Sequence, residues 1–272
     1  MSRPTLEVAD IVRAAGNSFW EQQHSHLAWP HRKVLDAIVR CRTAALGGHR
    51  DQCLRCGHQA ISFNSCRNRH CPKCQGNARA KWLAARSAEL LPVPYFHVVF
   101  TLPHELSALG LQNKRLLYDL LYRTSAATML ELSRDPKHLG ADIGFLGVLH
   151  TWGQNLEHHP HVHYIVPAGG LALHGSRWID SSPRFFLPVK AHGGKQKLMT
   201  VSAHEFLRRF LLHVLPGGLV RIRHFGLFAN RRRSAALERC RALLGATACV
   251  DPPEPPSCTA QPAPASCWSS NG

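Results

Sequence analysis

Apolar residues recur at helical spacing from Leu6 to Trp20, from Pro30 to Arg42 and from Gly76 to Leu91, which predicts three amphipathic helices. Pro30 suits a first helical turn, where its missing N–H costs nothing. The period then changes. Tyr95-Phe-His-Val-Val-Phe-Thr-Leu102 lies between Pro94 and Pro103 and reads as a strand. Helical spacing returns from His104 to Arg134, with a break expected near Gly110. Phe145-Leu-Gly-Val-Leu-His150 predicts a second strand, Asn155 to Pro160 its polar turn, and the run from His161 an antiparallel return. Short strands are expected at Gly170–Leu173, Arg177–Ile179 and Arg184–Val189, and two helices flanking Leu219–Phe225 between Ser202 and Gly245. From Asp251 the chain is Pro-rich without apolar periodicity, so disorder is expected there. The pattern is that of an α+β protein. Its expected divisions are a helical module at 1–91, a sheet-bearing core at 92–190, a basic helical stretch at 191–248 and a tail at 249–272.

The hairpin carries the sharpest chemistry. Residues i and i+2 of a strand share a face, so His161 and His163 point together across Val162. An antiparallel return brings His150 beside them as a third imidazole, with Gln154 in reserve. Three converging imidazoles predict a bound divalent ion, and the competing reading is three solvated histidines in a hairpin. Ligand softness favours manganese or zinc over magnesium, but availability decides, so Mn2+ or Mg2+ is expected at this site.

Charge narrows the partner. The 272 residues include 33 Lys+Arg against 17 Asp+Glu, a formal charge of +16, a field that attracts phosphate backbones. There is no run of about 18 apolar residues, and Met1-Ser-Arg-Pro-Thr opens no apolar signal region. A cytoplasmic location without membrane contact is therefore expected. In that compartment ten cysteines argue for metal rather than disulfides. Cys53-Leu-Arg-Cys56 and Cys71-Pro-Lys-Cys74 have knuckle spacing and predict one structural zinc on four thiolates. Cys41, His49, His58, Cys66 and His70 are left over, and of these Cys41, His49, Cys66 and His70 offer a second site. The expected DNA contacts are Arg67, Arg69 and Lys73 within the cluster, together with Arg231, Arg232 and Arg233. The latter lie in a stretch, His192 to Gly245, with eleven Lys or Arg against two Glu.

Several blocks together resemble rolling-circle transposases of insertion sequences. They are Cys66-Arg-Asn-Arg-His-Cys-Pro-Lys-Cys-Gln75, Tyr95-Phe-His-Val-Val-Phe-Thr-Leu-Pro-His104, Leu149-His-Thr-Trp-Gly-Gln154 with His159-Pro-His-Val-His163, and the segment from Glu205 to Arg233. Those transposases are two-tyrosine members of the HUH nuclease superfamily with an N-terminal zinc-binding domain. The likeness runs in order over about residues 10 to 245. It implies a helical, zinc-ribbon module followed by an HUH-type antiparallel sheet with packed helices. It also implies single-stranded ends of a mobile element as partner, a histidine-held ion polarising the scissile phosphate, and strand transfer through a phosphotyrosine.

In that family the tyrosines sit as Tyr-x-x-x-Tyr on a helix downstream of the HUH strand. Here Phe185–Lys190 resembles the segment before that helix, and Ala191–Thr200 the segment after it. The two abut at Lys190/Ala191 as if an internal stretch were deleted, and no tyrosine follows Tyr164. Tyr118-Asp-Leu-Leu-Tyr122 has the right spacing but lies upstream in an apolar stripe that reads as core, so both are weak candidates. Tyr164 alternates away from the histidines. The expected function is a transposase impaired in catalysis. The alternative is a non-catalytic zinc-ribbon protein competing for the element's ends.

Overall fold

The computed structural model describes residues 6–23, 27–54, 56–181 and 200–245. The expected strand at Arg184–Val189, the Lys190/Ala191 junction and the tail from Asp251 lie outside the described residues. In chain order the elements are α1 (Val8–Gln22), α2 (Trp29–Arg40), β1 (Gly48–Gln52), β2 (Gln59–Phe63), α3 (Pro72–Ser87), β3 (Tyr95–Thr101), α4 (Ser107–Gln112) and α5 (Lys114–Arg134). Then come β4 (Ala141–Asp142), β5 (Gly144–Trp152), β6 (His158–Pro167), β7 (Gly169–Ala172), β8 (Trp178–Asp180), α6 (Ala203–Leu212), β9 (Ile222–Gly226) and α7 (Arg233–Leu243). Contacts divide them into two units, 6–88 with 201–214 and 89–181 with 215–245. The basic stretch that the sequence reads as one division is thus shared between both.

The first unit has a helical core. Val12 and Phe19 of α1, Leu35 and Ile38 of α2, and Leu207 and Leu211 of α6 are buried together, and Cys41 and Cys71 belong to the same cluster. Pro30 sits in the first turn of α2. α3 begins at Pro72 rather than Gly76, because Cys71 takes the N-cap position and Pro72 the turn that tolerates it. β1 and β2 form an antiparallel ribbon from Gly48↔Phe63 to Gln52↔Gln59. It escaped the sequence reading because its residues are almost all exposed, which leaves no apolar alternation to detect.

The second unit is built on an antiparallel sheet of order β3-β6-β5-β9, with a three-stranded sheet of order β4-β7-β8. Tyr118, Leu121, Tyr122 and Ala126 of α5 pack on Phe145, Leu149, Val162, Tyr164 and Val166. Alternation then turns His150, His161 and His163 to the opposite face. Gly147 allows this packing, because a Cβ there would lie 2.6 Å from the Tyr164 ring and 3.1 Å from that of Tyr122.

Two further boundaries differ from expectation. The helical break comes at Asn113, between α4 and α5, and Gly110 is buried inside α4. A Cβ at Gly110 would sit 2.6 Å from Leu117 Cδ2, so glycine serves close packing there. The hairpin turn is also earlier than Asn155–Pro160: the Gly153 N–H donates to the Glu157 carbonyl and the strand resumes at His158. Pro160 fits within β6 because the register slips between His150 and Trp152, a bulge where its missing N–H breaks no ladder bond. No helix among the described residues is long and apolar enough to cross a membrane.

Candidate metal centres

Two clusters of ligating side chains form among the described residues: Cys41, Cys66, Cys71 and Cys74, and His150, His161 and His163. Within each, the ligand atoms all lie within 4.8 Å of one another. The thiol cluster gathers at chain reversals. Cys41 ends α2, Cys66 follows β2, Cys71 caps α3 and Cys74 lies in its first turn. Cys74 Sγ is 3.5 Å from Cys41 Sγ and 3.5 Å from Cys66 Sγ. Tetrahedral zinc with bonds of about 2.3 Å holds its sulfurs about 3.7 Å apart, so the four residues fit that ion. The Cys66 N–H approaches Cys41 Sγ, and the N-terminus of α3 favours negative charge on Cys71 and Cys74. Burial raises the Cys71 thiol to about 11. At Cys74 burial also raises, but hydrogen bonds from Cys41, Cys66 and Cys71 outweigh it and hold the thiol at about 7.

This quartet differs from the one the spacing predicts. Cys71 and Cys74 meet Cys41 and Cys66, whereas Cys53 and Cys56 sit at the tip of the β1–β2 ribbon. There the Cys53 N–H donates to the His58 carbonyl and the Gly57 N–H to the Cys53 carbonyl. Strands of this length carry the tip roughly 17 Å from the ribbon's base. Cys41 and Cys66 flank that base. His49 lies in exposed β1, and His70 Nδ1 is 3.3 Å from Asn68 Oδ1; neither joins the four thiols.

The three predicted histidines do converge. β5 and β6 set His150 opposite His161 and Val148 opposite His163. Ring centroids are 4.3 Å apart for His150 and His163, 4.7 Å for His161 and His163, and 5.4 Å for His150 and His161. Burial, reinforced by the neighbouring imidazoles, lowers His150 and His163 to about 4. Burial lowers His161 as well. All three therefore stay neutral, the form that ligates a metal. His161 Nδ1 lies 2.7 Å from the His159 carbonyl and donates to it, leaving Nε2 for an ion. Trp152 lies parallel to His150, 5.1 Å away with 11° between the planes, and Arg221 lies 5.7 Å over Trp152. Gln154 is exposed in the turn and outside the trio.

Sequence reading missed one neighbour, His97 of β3, whose Nε2 is 2.6 Å from His163 Nδ1. Part of the signal was present: Phe96, Val98 and Phe100 pack on the core, so alternation turns His97 to the other face of β3, and the pairing of β3 with β6 then makes that the histidine face.

The depressed imidazoles set a pH dependence. Unfolded, they titrate near 6.5; folded, His150 and His163 take up protons only near 4, so the unfolded state binds more protons between these values. Stability should therefore fall as pH drops from 6.5 toward 4. Thermal melting without added manganese should show this, and a His150→Gln/His163→Gln variant should flatten it.

All four tyrosines have engaged hydroxyls. Tyr118, Tyr122 and Tyr164 are fully buried. The Tyr118 hydroxyl meets His158 Nε2 at 2.9 Å, that of Tyr122 donates to the Arg221 carbonyl, and that of Tyr164 meets Ser125 Oγ at 2.7 Å. The Tyr95 hydroxyl accepts the Leu91 N–H at 2.8 Å. Of the basic residues, Arg67, Arg69, Arg231 and Arg232 are exposed. Lys73 pairs with Glu7 at 2.6 Å and Arg233 with Glu89 at 3.4 Å.

Residues 11–102 match the family described as "Transposase zinc-binding domain". Residues 144–193 and 189–235 match, as two segments, the family described as "Putative transposase". The "Putative transposase y4qJ" of Sinorhizobium fredii is 41% identical over 90% of this chain and 86% of the relative. The chain belongs to the rolling-circle insertion-sequence transposases with an N-terminal zinc-binding domain. The "Transposase for insertion sequence element IS801" of Pseudomonas savastanoi pv. phaseolicola is 37% identical over 145 residues, 53% of this transposase and 34% of that relative. No solved structure matches. The alignment with the first relative spans 342 positions, whereas 90% of 272 residues is about 245, so about 97 positions carry no residue of this transposase. The two segments matching the second family meet at 189–193.

Proposed function

We propose that this transposase occupies DNA at the ends of its element, keeps both metal centres and lacks the tyrosine nucleophile. One observation carries the reading: an assembled imidazole trio stands with four tyrosine hydroxyls all committed to other hydrogen bonds. Zinc is assigned to Cys41, Cys66, Cys71 and Cys74, joining the end of α2 to the start of α3. Mn2+ or Mg2+ is assigned to His150, His161 and His163, where a bound ion supplies Lewis-acid polarisation of a phosphate oxygen. The His159 carbonyl and the face of Trp152 hold two of these rings in place. The unfilled alignment positions and the seam at 189–193 support internal loss of the tyrosine helix. On this reading the chain competes with an intact transposase for single-stranded ends.

Arg231 and Arg232, exposed ahead of α7, are assigned to backbone phosphates. Each phosphate contact contributes about 0.7 to the slope of log K against log salt on single strands. Arg231→Ala/Arg232→Ala should therefore flatten the slope by about 1.4 and weaken binding alike for all sequences. A filter-binding salt series that leaves the slope unchanged sinks the assignment.

A further inference from the structure

We infer that His97 is a positioning residue for the histidine centre, accepting the Nδ1–H of His163 and so fixing Nε2 as the nitrogen that His163 turns to the ion. The inference rests on the divalent ion proposed for His150, His161 and His163.

The two rings meet edge to edge. His97 Nε2 and His163 Nδ1 are 2.6 Å apart, the ring centroids 4.9 Å, and the planes differ by 10°. A nitrogen lies roughly 1.1–1.2 Å from its own ring centroid, so 4.9 Å is nearly the distance that a straight, coplanar N–H···N bond requires. Face-to-face stacking at that N···N distance would bring the centroids much closer. One ring must donate and the other accept, and His163 Nε2 decides which. It is buried and without a hydrogen-bond partner. If His97 were the donor, Nε2 of His163 would carry a buried N–H with nothing to receive it, which is costly. With the proton on Nδ1, Nε2 is instead a lone pair that a cation held by the trio would meet.

His97 is not itself a fourth ligand beside Nδ1. Two nitrogens bound to one ion at about 2.0–2.1 Å sit about 3 Å or more apart, and these two are closer. The arrangement repeats that at His161, whose Nδ1 is held by the His159 carbonyl. Ligating imidazoles generally give their other N–H to an acceptor, and removing that acceptor weakens metal binding by about 10–100-fold.

Mn2+ titration of the full chain, followed by electron paramagnetic resonance, tests this. His97→Ala and His97→Phe should each weaken Mn2+ binding by about 10–100-fold, the latter although it keeps an aromatic ring. His97→Gln, which restores an acceptor oxygen, should recover most of the loss. Before any Mn2+ is added, 15N spectra should show His163 protonated at Nδ1, a preference that His97→Phe abolishes. Unchanged Mn2+ binding in His97→Phe, or His163 protonated at Nε2 in the native chain, overturns the inference alone. A native chain that binds no Mn2+ overturns the ion assignment and the inference with it.

Discussion

Cys41→Ser and Cys66→Ser should each strip the zinc and unfold the first unit, while Cys56→Ser should leave both intact. The contrast follows from topology: Cys41 and Cys66 meet Cys71 and Cys74, and Cys56 is exposed on the ribbon. Structural zinc contributes roughly 10–16 kcal/mol of apparent binding free energy in small modules. A whole domain is stable by only about 5–15 kcal/mol, so losing the ion outweighs what the helices alone supply. Cys41 and Cys71 are themselves core residues packed with α1, α2 and α6, so the unfolding should register as lost helical ellipticity. Elemental analysis of protein purified without added metal measures the zinc. Zinc lost from Cys56→Ser but kept by Cys66→Ser would restore the paired-knuckle reading.

How far the sequence reaches is visible at these two centres. The histidine trio needs only local information, a period of two along β6 and a turn short enough to return β5 beside it. The core face was legible for the same reason, since burial alternates along β5 and β6 and Tyr118 and Tyr122 lie at i, i+4 spacing in the apolar stripe of α5. The thiol quartet needs the path of the chain between Cys41 and Cys66, and that path is the exposed ribbon whose polar residues leave no periodic trace. Spacing alone then favours the two Cys-x-x-Cys pairs. His97 was hidden differently. β3 pairs with β6 across a separation of 66 residues, and strand order β3-β6-β5-β9 is not written in any local pattern. Gly110 misled because glycine marks both helix breaks and close packing, and only the neighbouring Leu117 side chain separates the two.

Incubated with Mn2+ and single-stranded element ends, this transposase should form no covalent protein–DNA adduct. On the proposed reading, an attacking tyrosine would have to bring its hydroxyl to a phosphate at the histidine face of the sheet. Tyr118, Tyr122 and Tyr164 are buried on the opposite face, among residues of α5, β5 and β6. Burial also pushes the Tyr118 and Tyr122 hydroxyls well above their ordinary range, which makes the attacking phenolate scarcer still. Freeing Tyr118 would break its bond to His158 and empty a fully buried site. Vacating an aromatic site in a core costs about 3–5 kcal/mol. Tyr95 lies on β3 with its hydroxyl held by the Leu91 N–H. His161→Ala should in turn lose Mn2+ binding, which tests the proposed ion site separately from the proposed loss of the nucleophile. The decisive measurement is a denaturing gel with end-labelled DNA, followed by mass spectrometry of any shifted band. An adduct mapped to Tyr118 or Tyr122 would show that α5 can turn its tyrosines outward, and the chain would then be a competent strand-transferring enzyme. Cleavage without an adduct would instead mean that an ion-activated water attacks.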